Sequence, residues 1–250
     1  MGQRRSPLGV EDLERLAARG WRAPEEDALV DWLLRAGGGF TGRANSALVV
    51  GDPGMALPDA VDAVGRWYAD RGLRPCAQLP GVQSRAADAA FAAAGWERDE
   101  DTLVLTAPIG APQPVGVPVQ LSPAPDDAWL AGYRHRGSAL PATAVEVLTN
   151  AEQLAFASVR LDPAPAPLTA VARGVLTDGW LGVTAVTVEE QHRRRGVATA
   201  VMAALQNWAA ERGAHSVYLQ VVAGNAPARA LYRRTGFIEH HRYHYRRPSA

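Results

Sequence analysis

The sequence predicts an α+β fold of two units, each a mixed, mostly antiparallel β-sheet flanked by helices. Three observations lead there. Residues repeat at a constant offset of 141 positions: Trp67/Trp208, Ala69/Ala210, Arg71/Arg212, Gly72/Gly213, Gly95/Gly236 and Trp96/Phe237. Self-similarity that holds through the ends of two helical segments marks related halves. Between them, Pro108, Pro112, Pro114, Pro118, Pro123 and Pro125 remove backbone donors and fix φ across 107–125. The second half then runs through several strand-like stretches into strand, helix, strand, helix, strand, the order of an α+β sheet. The expected organisation is an N-terminal domain over 1–106, a Pro-rich linker over 107–116 and a C-terminal domain over 117–250.

The elements of the second half follow from local pattern. A short strand is expected at 117–121, helices by composition at 126–134 and 142–150, and strands at 155–161, 168–176 and 180–188. Pro163, Pro165 and Pro167 fall between two of these strands and read as a long hairpin loop. Val197, Val201, Leu205 and Trp208 recur at three- and four-residue steps, so a long amphipathic helix follows, with Gly213 as its stop. The run 216–222 is β-rich. Pro227 opens another helix where its missing N–H costs nothing, and Gly236 closes it. Residues 237–246 alternate and read as a final strand pair.

Composition narrows the function. Basic and acidic residues balance at 26 each, which argues against a protein devoted to nucleic acid or to an anionic membrane surface. Every basic residue is Arg, so chemistry requiring a lysine is excluded. The single Cys76 forms neither an intrachain disulfide nor a Cys-based metal cluster, and it reads as a packed thiol in a reducing, cytoplasmic setting with no metal. No apolar run approaches a membrane span, and the first ten residues lack a signal-peptide core.

The most informative stretch is Val186-Thr187-Val188-Glu189-Glu190-Gln191-His192-Arg193-Arg194-Arg195-Gly196-Val197-Ala198-Thr199, a strand leading through a polar turn into the long helix. A helix start built from small residues lets backbone N–H groups approach a pyrophosphate, and the helix dipole favours the anion. Arg193, Arg194 and Arg195 add charge on the same turn. This stretch resembles the acetyl-CoA loop of the GNAT acetyltransferases, Arg/Gln-x-x-Gly-x-Gly/Ala, here Arg193 to Ala198. Asn225 and Ala228-Arg229-Ala230-Leu231-Tyr232-Arg233-Arg234-Thr235-Gly236-Phe237 are similar to the family's next loop and helix.

The resemblance, covering about 117–246, implies an N-acetyltransferase in which an amine attacks the acetyl-CoA thioester directly, with no acyl-enzyme. It implies that a backbone N–H around Val186, Thr187 and Val188 polarises the carbonyl, that Arg193 to Thr199 hold the pyrophosphate, that Asn225 meets the pantetheine arm or caps the helix, and that Tyr232 protonates the leaving thiolate. The acceptor would be a small-molecule or peptide amine, and the protein a monomer or homodimer. The alternative is a catalytically weak acetyl-CoA sensor that engages a protein partner. Some GNAT enzymes carry a Glu base on the strand equivalent to 180–188, but Trp-Leu-Gly-Val-Thr-Ala-Val-Thr-Val has no carboxylate. Glu189 and Glu190 lie in the turn. His240, His241 and His244 on the last strands are candidate bases or solvated edge residues.

The position 141 residues before the arginines holds Asp52-Pro53-Gly54-Met55-Ala56-Leu57, without positive charge, and Phe91 stands opposite Tyr232. The first half thus resembles a degenerate GNAT unit of a tandem, two-domain actinobacterial protein. Gly37-Gly38-Gly39-Phe40-Thr41-Gly42-Arg43-Ala44-Asn45-Ser46 resembles a segment of such proteins. It is either a hairpin loop with polar tips or a contributor to the acceptor site.

Overall fold

The computed structural model describes residues 8–133, 140–163 and 166–249. The fold is α+β, and by internal contacts it divides into two compact units, one of Met1–Thr102 with His240–Ala250 and one of Leu103–Glu239.

The first unit contains α1 (Val10–Arg19), β1 (Glu25–Leu29), β2 (Trp32–Ala36), β3 (Ala47–Leu48), α2 (Leu57–Ala69), β4 (Ala77–Pro80), α3 (Arg85–Ala93) and β5 (Trp96–Arg98). The second contains β6 (Thr102–Pro108), β7 (Gln120–Ser122), α4 (Asp127–Gly132), α5 (Ala144–Thr149), β8 (Leu154–Val159), β9 (Ala170–Thr177), β10 (Trp180–Val188), α6 (Val197–Ala210), β11 (Ser216–Val222) and α7 (Ala226–Arg234). The last strand, β12 (Ile238–Pro248), pairs antiparallel with β4 and β5 and so completes the first unit's sheet. Strand order is β1-β2-β3-β4-β12 in the first unit and β6-β11-β10-β9-β8-β7 in the second. Each unit has a parallel strand pair, β3 with β4 and β10 with β11, among antiparallel neighbours.

Two outcomes differ from the sequence expectation. The final segment is one strand rather than a pair, because Ile238 to Arg247 contains no Gly, Pro, Asn or Asp to reverse the chain. The contact division falls at Thr102/Leu103 and Glu239/His240, not in the prolines of 107–116. Leu103, Leu105 and Ala107 of β6 point into the apolar cluster under α6, whereas Tyr243 to Arg246 ladder onto β4. The helix expected over 126–134 spans Asp127–Gly132, capped by the Asp126 side chain on the Trp129 N–H at 2.7 Å; Arg134 and Pro165 lie outside the described residues.

Burial explains the elements. Leu181 and Val183 of β10, Val217, Leu219 and Val221 of β11, and Val197, Val201 and Leu205 of α6 form one cluster, so alternate strand residues meet one helical stripe. In the first unit, Trp32, Leu34, Val61, Val64, Tyr68, Leu79 and Phe91 do the same. The opposite face there carries a buried polar chain: Arg35 Nη2 donates to Gln78 Oε1 (2.8 Å), Gln78 Nε2 to Glu14 Oε2 (2.8 Å), and Glu14 Oε1 meets His241 Nε2 (2.8 Å). The glycine segment is a loop turned on itself. Asn45 Oδ1 accepts from the Gly37 and Gly39 N–H groups, and Thr41 Oγ1 accepts from the Trp21 indole at 2.8 Å. Cys76 is buried. Among the described residues no helix is long and apolar enough to cross a membrane, and no three His, Cys, Asp or Glu groups could hold a metal.

Candidate functional site

The site begins with an irregularity in β10. Its antiparallel pairing with β9 runs from Trp180↔Thr177 to Thr184↔Arg173 and resumes at Thr187↔Val171, so Ala185 and Val186 together oppose Ala172. Ala185 takes φ +56°, a left-handed conformation seldom adopted by residues with a Cβ, and this accommodates the extra residue of a bulge. On the other edge, parallel pairing with β11 stops at Val183↔Leu219, although β10 continues to Val188 and β11 to Val222. The two strands therefore part beside the bulge, and main-chain groups near Val186 have no cross-strand partner on the β11 side.

The chain leaves β10 through a 3-10 turn, Glu190–His192, and enters α6 by way of Arg193 to Gly196. Arg194 has φ +63° and Gly196, the residue before the helix, +79°. A Cβ built on Gly196 would meet nothing within 4 Å. Among the described residues no side chain caps α6, so the first N–H groups, at Val197, Ala198 and Thr199, keep no side-chain acceptor, the arrangement that suits an anion, and left-handed residues stand in the approaching turn. Arg193, Arg194 and Arg195 are all exposed. Arg193 Nε donates to the Val188 carbonyl at 3.2 Å, and Arg195 Nη1 lies 3.1 Å from His192 Nδ1.

On the next loop, Asn225 Oδ1 accepts from the Ala228 N–H at 3.2 Å, which makes it the cap of α7. Tyr232 is 7% exposed and shares a cluster with Val197, against which Val186 and Val188 also pack. Its ring lies 5.7 Å from that of Phe237, and burial alone pushes its phenol up to about 12. The sheet face opposite α6 carries Gly182, Thr184 and Tyr218. The Tyr218 hydroxyl covers Gly182 so closely that a Cβ there would stand 2.4 Å from it, and the Thr184 hydroxyl is buried with no hydrogen-bond partner among the described residues.

The structure thus places Val186 to Val188, Arg193 to Thr199 and Tyr232 in one unit around one splayed strand pair. It does not bring the histidines there. His240, His241 and His244 belong to the first unit, where His240 Nε2 reaches the Leu8 carbonyl (2.9 Å), His241 meets Glu14, and His244 Nε2 meets Asp88 Oδ1 (2.8 Å). Alternation could divide these residues between faces, but not assign the strand to a sheet. Two further residues went unread in the sequence: His192, 6% exposed, and Asp162, whose Oδ2 lies 2.9 Å from His192 Nε2. No local pattern signals a contact between residues 30 apart.

The family described as "Probable histone acetyltransferase Rv0428c C-terminal" matches residues 9–246. The probable histone acetyltransferase Rv0428c of Mycobacterium tuberculosis is 32% identical over 243 residues, covering 94% of this chain and 73% of that protein. The uncharacterized N-acetyltransferase YobR of Bacillus subtilis is 26% identical over 256 residues, covering 95% and 98%. Among solved structures, a GCN5-related N-acetyltransferase from Kribbella flavida superposes with a TM-score of 0.68 at 19% identity over 96% of both chains. A tandem GNAT protein from the clavulanic acid biosynthesis pathway gives 0.56 at 18% identity over 77% of this chain and 70% of that one. These two likenesses establish the fold.

Proposed function

Because the chain belongs to the probable histone acetyltransferase Rv0428c C-terminal family, within the GNAT acetyltransferases, we propose that it transfers acetyl from acetyl-CoA to a primary amine of a small molecule or peptide. The observation that carries this is the bulged end of β10 parting from β11 immediately before an uncapped helix start with three arginines. When bound, acetyl-CoA supplies an activated acetyl group and a thiol leaving group. The open space at Gly196, the free N–H groups of Val197 to Thr199 and the arginines fit a pyrophosphate; Asn225, already engaged as a cap, borders the arm rather than gripping it. Main-chain N–H groups around Val186 to Val188 would receive the carbonyl oxygen, and Tyr232 would donate to the sulfur. No carboxylate stands on β10 to take the acceptor's proton, a role open to water.

We further propose that the first unit is a degenerate copy of the second. The offset of 141 carries α3 onto α7 end for end and places α2 against α6, which supports duplication. The first copy lacks the arginines, and Asp52 folds back on its own turn, its Oδ1 accepting from the Gly54 N–H at 2.8 Å. The missing carboxylate on β10 favours a second reading, in which the protein binds acetyl-CoA as a sensor for a protein partner.

Amine-dependent release of CoA thiol, measured across small amines and peptides bearing α- or ε-amino groups, separates the two. Turnover with any amine supports transfer. Tight acetyl-CoA binding without turnover supports the sensor. Gly196→Glu, in protein that melts normally despite the φ of +79° there, should abolish acetyl-CoA binding by calorimetry, because it adds bulk and negative charge at the helix start; parental affinity would remove the loop assignment. A stoichiometry of one supports the degenerate copy, and two would contradict it. Gly54→Glu is a poor control, since Gly54 has φ +72° and a Cβ there would lie 2.5 Å from Val30 Cγ2.

A further inference from the structure

His192 is buried inside a turn whose neighbours Gln191, Arg193, Arg194 and Arg195 are all exposed. Its two ring nitrogens face partners of opposite character. Arg195 Nη1 stands 3.1 Å from Nδ1, and Asp162 Oδ2 stands 2.9 Å from Nε2. A guanidinium only donates, so Nδ1 must accept and the ring proton must sit on Nε2, donated to Asp162. Partner chemistry therefore turns the accepting nitrogen toward Arg195 and the donating one toward Asp162. Gln191 Nε2, at 3.4 Å from the same Nε2, is too distant to compete with the 2.9 Å bond.

Asp162 comes from the proline-marked loop between β8 and β9. That loop is tied to the cofactor turn a second time, since the Glu189 N–H donates to the Thr169 carbonyl at 2.9 Å and the Leu161 N–H to Thr169 Oγ1 at 3.0 Å. We propose that Asp162 and His192 are positioning residues for the cofactor. They hold the Arg195 guanidinium at the mouth of α6 for the acetyl-CoA pyrophosphate and make Asp162, just after β8, part of the cofactor site. The inference rests on reading the turn as the acetyl-CoA loop.

The chemistry suits that task. A carboxylate placed directly on Arg195 would neutralise the charge the phosphates need. An imidazole between them transmits orientation through an uncharged acceptor and keeps the anion one ring away. Only one guanidinium nitrogen is occupied, and Arg195 has no other side-chain partner among the described residues, so its remaining N–H groups stay available for a phosphate. Fixing a long side chain before binding removes part of the ordering cost at binding.

The test is a double-mutant cycle read by calorimetric titration with acetyl-CoA. His192→Leu and Asp162→Ala should each weaken binding by about 3–10-fold, the range expected for releasing one immobilised side chain. In an Arg195→Ala background the same changes should cost nothing further, because the residue they position is gone. His192→Asn, which keeps an acceptor for Arg195, should recover part of the loss and runs the same cycle if His192→Leu melts abnormally. Equal losses in both backgrounds would assign His192 to packing alone and overturn the proposal, as would parental affinity in all three variants. Gly196→Glu separates the two levels. If it abolishes binding while the His192 series is silent, the clamp falls and the loop stands; if all variants bind as the parent does, both fall.

Discussion

Replacing Tyr232 by Phe isolates one hydroxyl. The ring keeps its contact with Phe237 and its place among Val197 and Val201, so folding near neutral pH should be almost unchanged. The phenol is raised to about 12 by burial, so it is fully protonated at any working pH, yet it is a weak acid toward a thiol of ordinary value near 8.5. In the donor role proposed for it, its contribution would be a hydrogen bond to the developing thiolate rather than early surrender of the proton. Such a bond to a charged acceptor contributes about 1.5–3 kcal/mol, or about 10–150-fold in rate. The loss should fall on kcat, with the acetyl-CoA KM little changed, because the sulfur is uncharged when the cofactor binds. Steady-state kinetics with an active amine, beside melting curves, measure it. Normal melting with turnover within about twofold of the parent would refute the donor role. The same variant has a second signature. A phenol raised from 10.0 to about 12 leaves stability intact below pH 10 and withdraws it as pH rises towards 12, by about 2–3 kcal/mol for this group. The mutant should lose that share of the alkaline slope, while Tyr68, Tyr243 and Tyr245, also raised by burial, keep theirs.

Other outcomes follow from packing and charge. Gly182→Ala puts a Cβ 2.4 Å from the Tyr218 hydroxyl and 2.6 Å from its Cζ, so the ring must shift; a cost of about 1–3 kcal/mol should lower Tm by several degrees, whereas Gly110→Ala, with nothing within 4 Å, should stay within about 0.5 kcal/mol. His244 is depressed by burial, more than its bond to Asp88 can offset. Its stabilisation is therefore complete above pH 6.5 and lost as pH falls below it, and melting from pH 7 to 5 should show a slope that His244→Gln reduces. Burial alone would raise Asp88, but bonds from Arg246 and His244 hold it below the usual carboxylate range; Asp88→Ala takes the carboxylate away from His244 and from Arg246, which keeps its bond to the Trp96 carbonyl, and should cost about 1–3 kcal/mol, read by denaturant titration.

The reach of the sequence can be judged from particular elements. β10 and β11 fall on the strand-like run 180–188 and the β-rich run 216–222, because both are core strands bounded by turn residues. The turn and α6 were legible because glycine and arginine at a strand–helix junction carry a specific physical meaning. The bulge was not, since Thr184-Ala185-Val186 contains no glycine and the left-handed Ala185 is imposed by neighbours. The same holds for Asp162, which meets His192 only once β8 and β9 are paired. Asn225 offered a cap and a ligand contact equally in the sequence; the 3.2 Å bond to the Ala228 N–H supplies the first.

The placement of β12 has a consequence for how the protein is made. Tyr243 pairs with Pro80 and Arg246 with Ala77, so the edge of β4 is closed by a strand that is translated long after it. A ribosome that has finished the first hundred residues has therefore released a sheet with an open strand edge, the kind of surface that recruits other chains. The nascent first unit must wait, or be shielded by a chaperone, until β12 has been translated. Termination near residue 237 would leave the turn before α6 in place and the edge of β4 unpaired, so such fragments should be cleared through the first unit rather than the second.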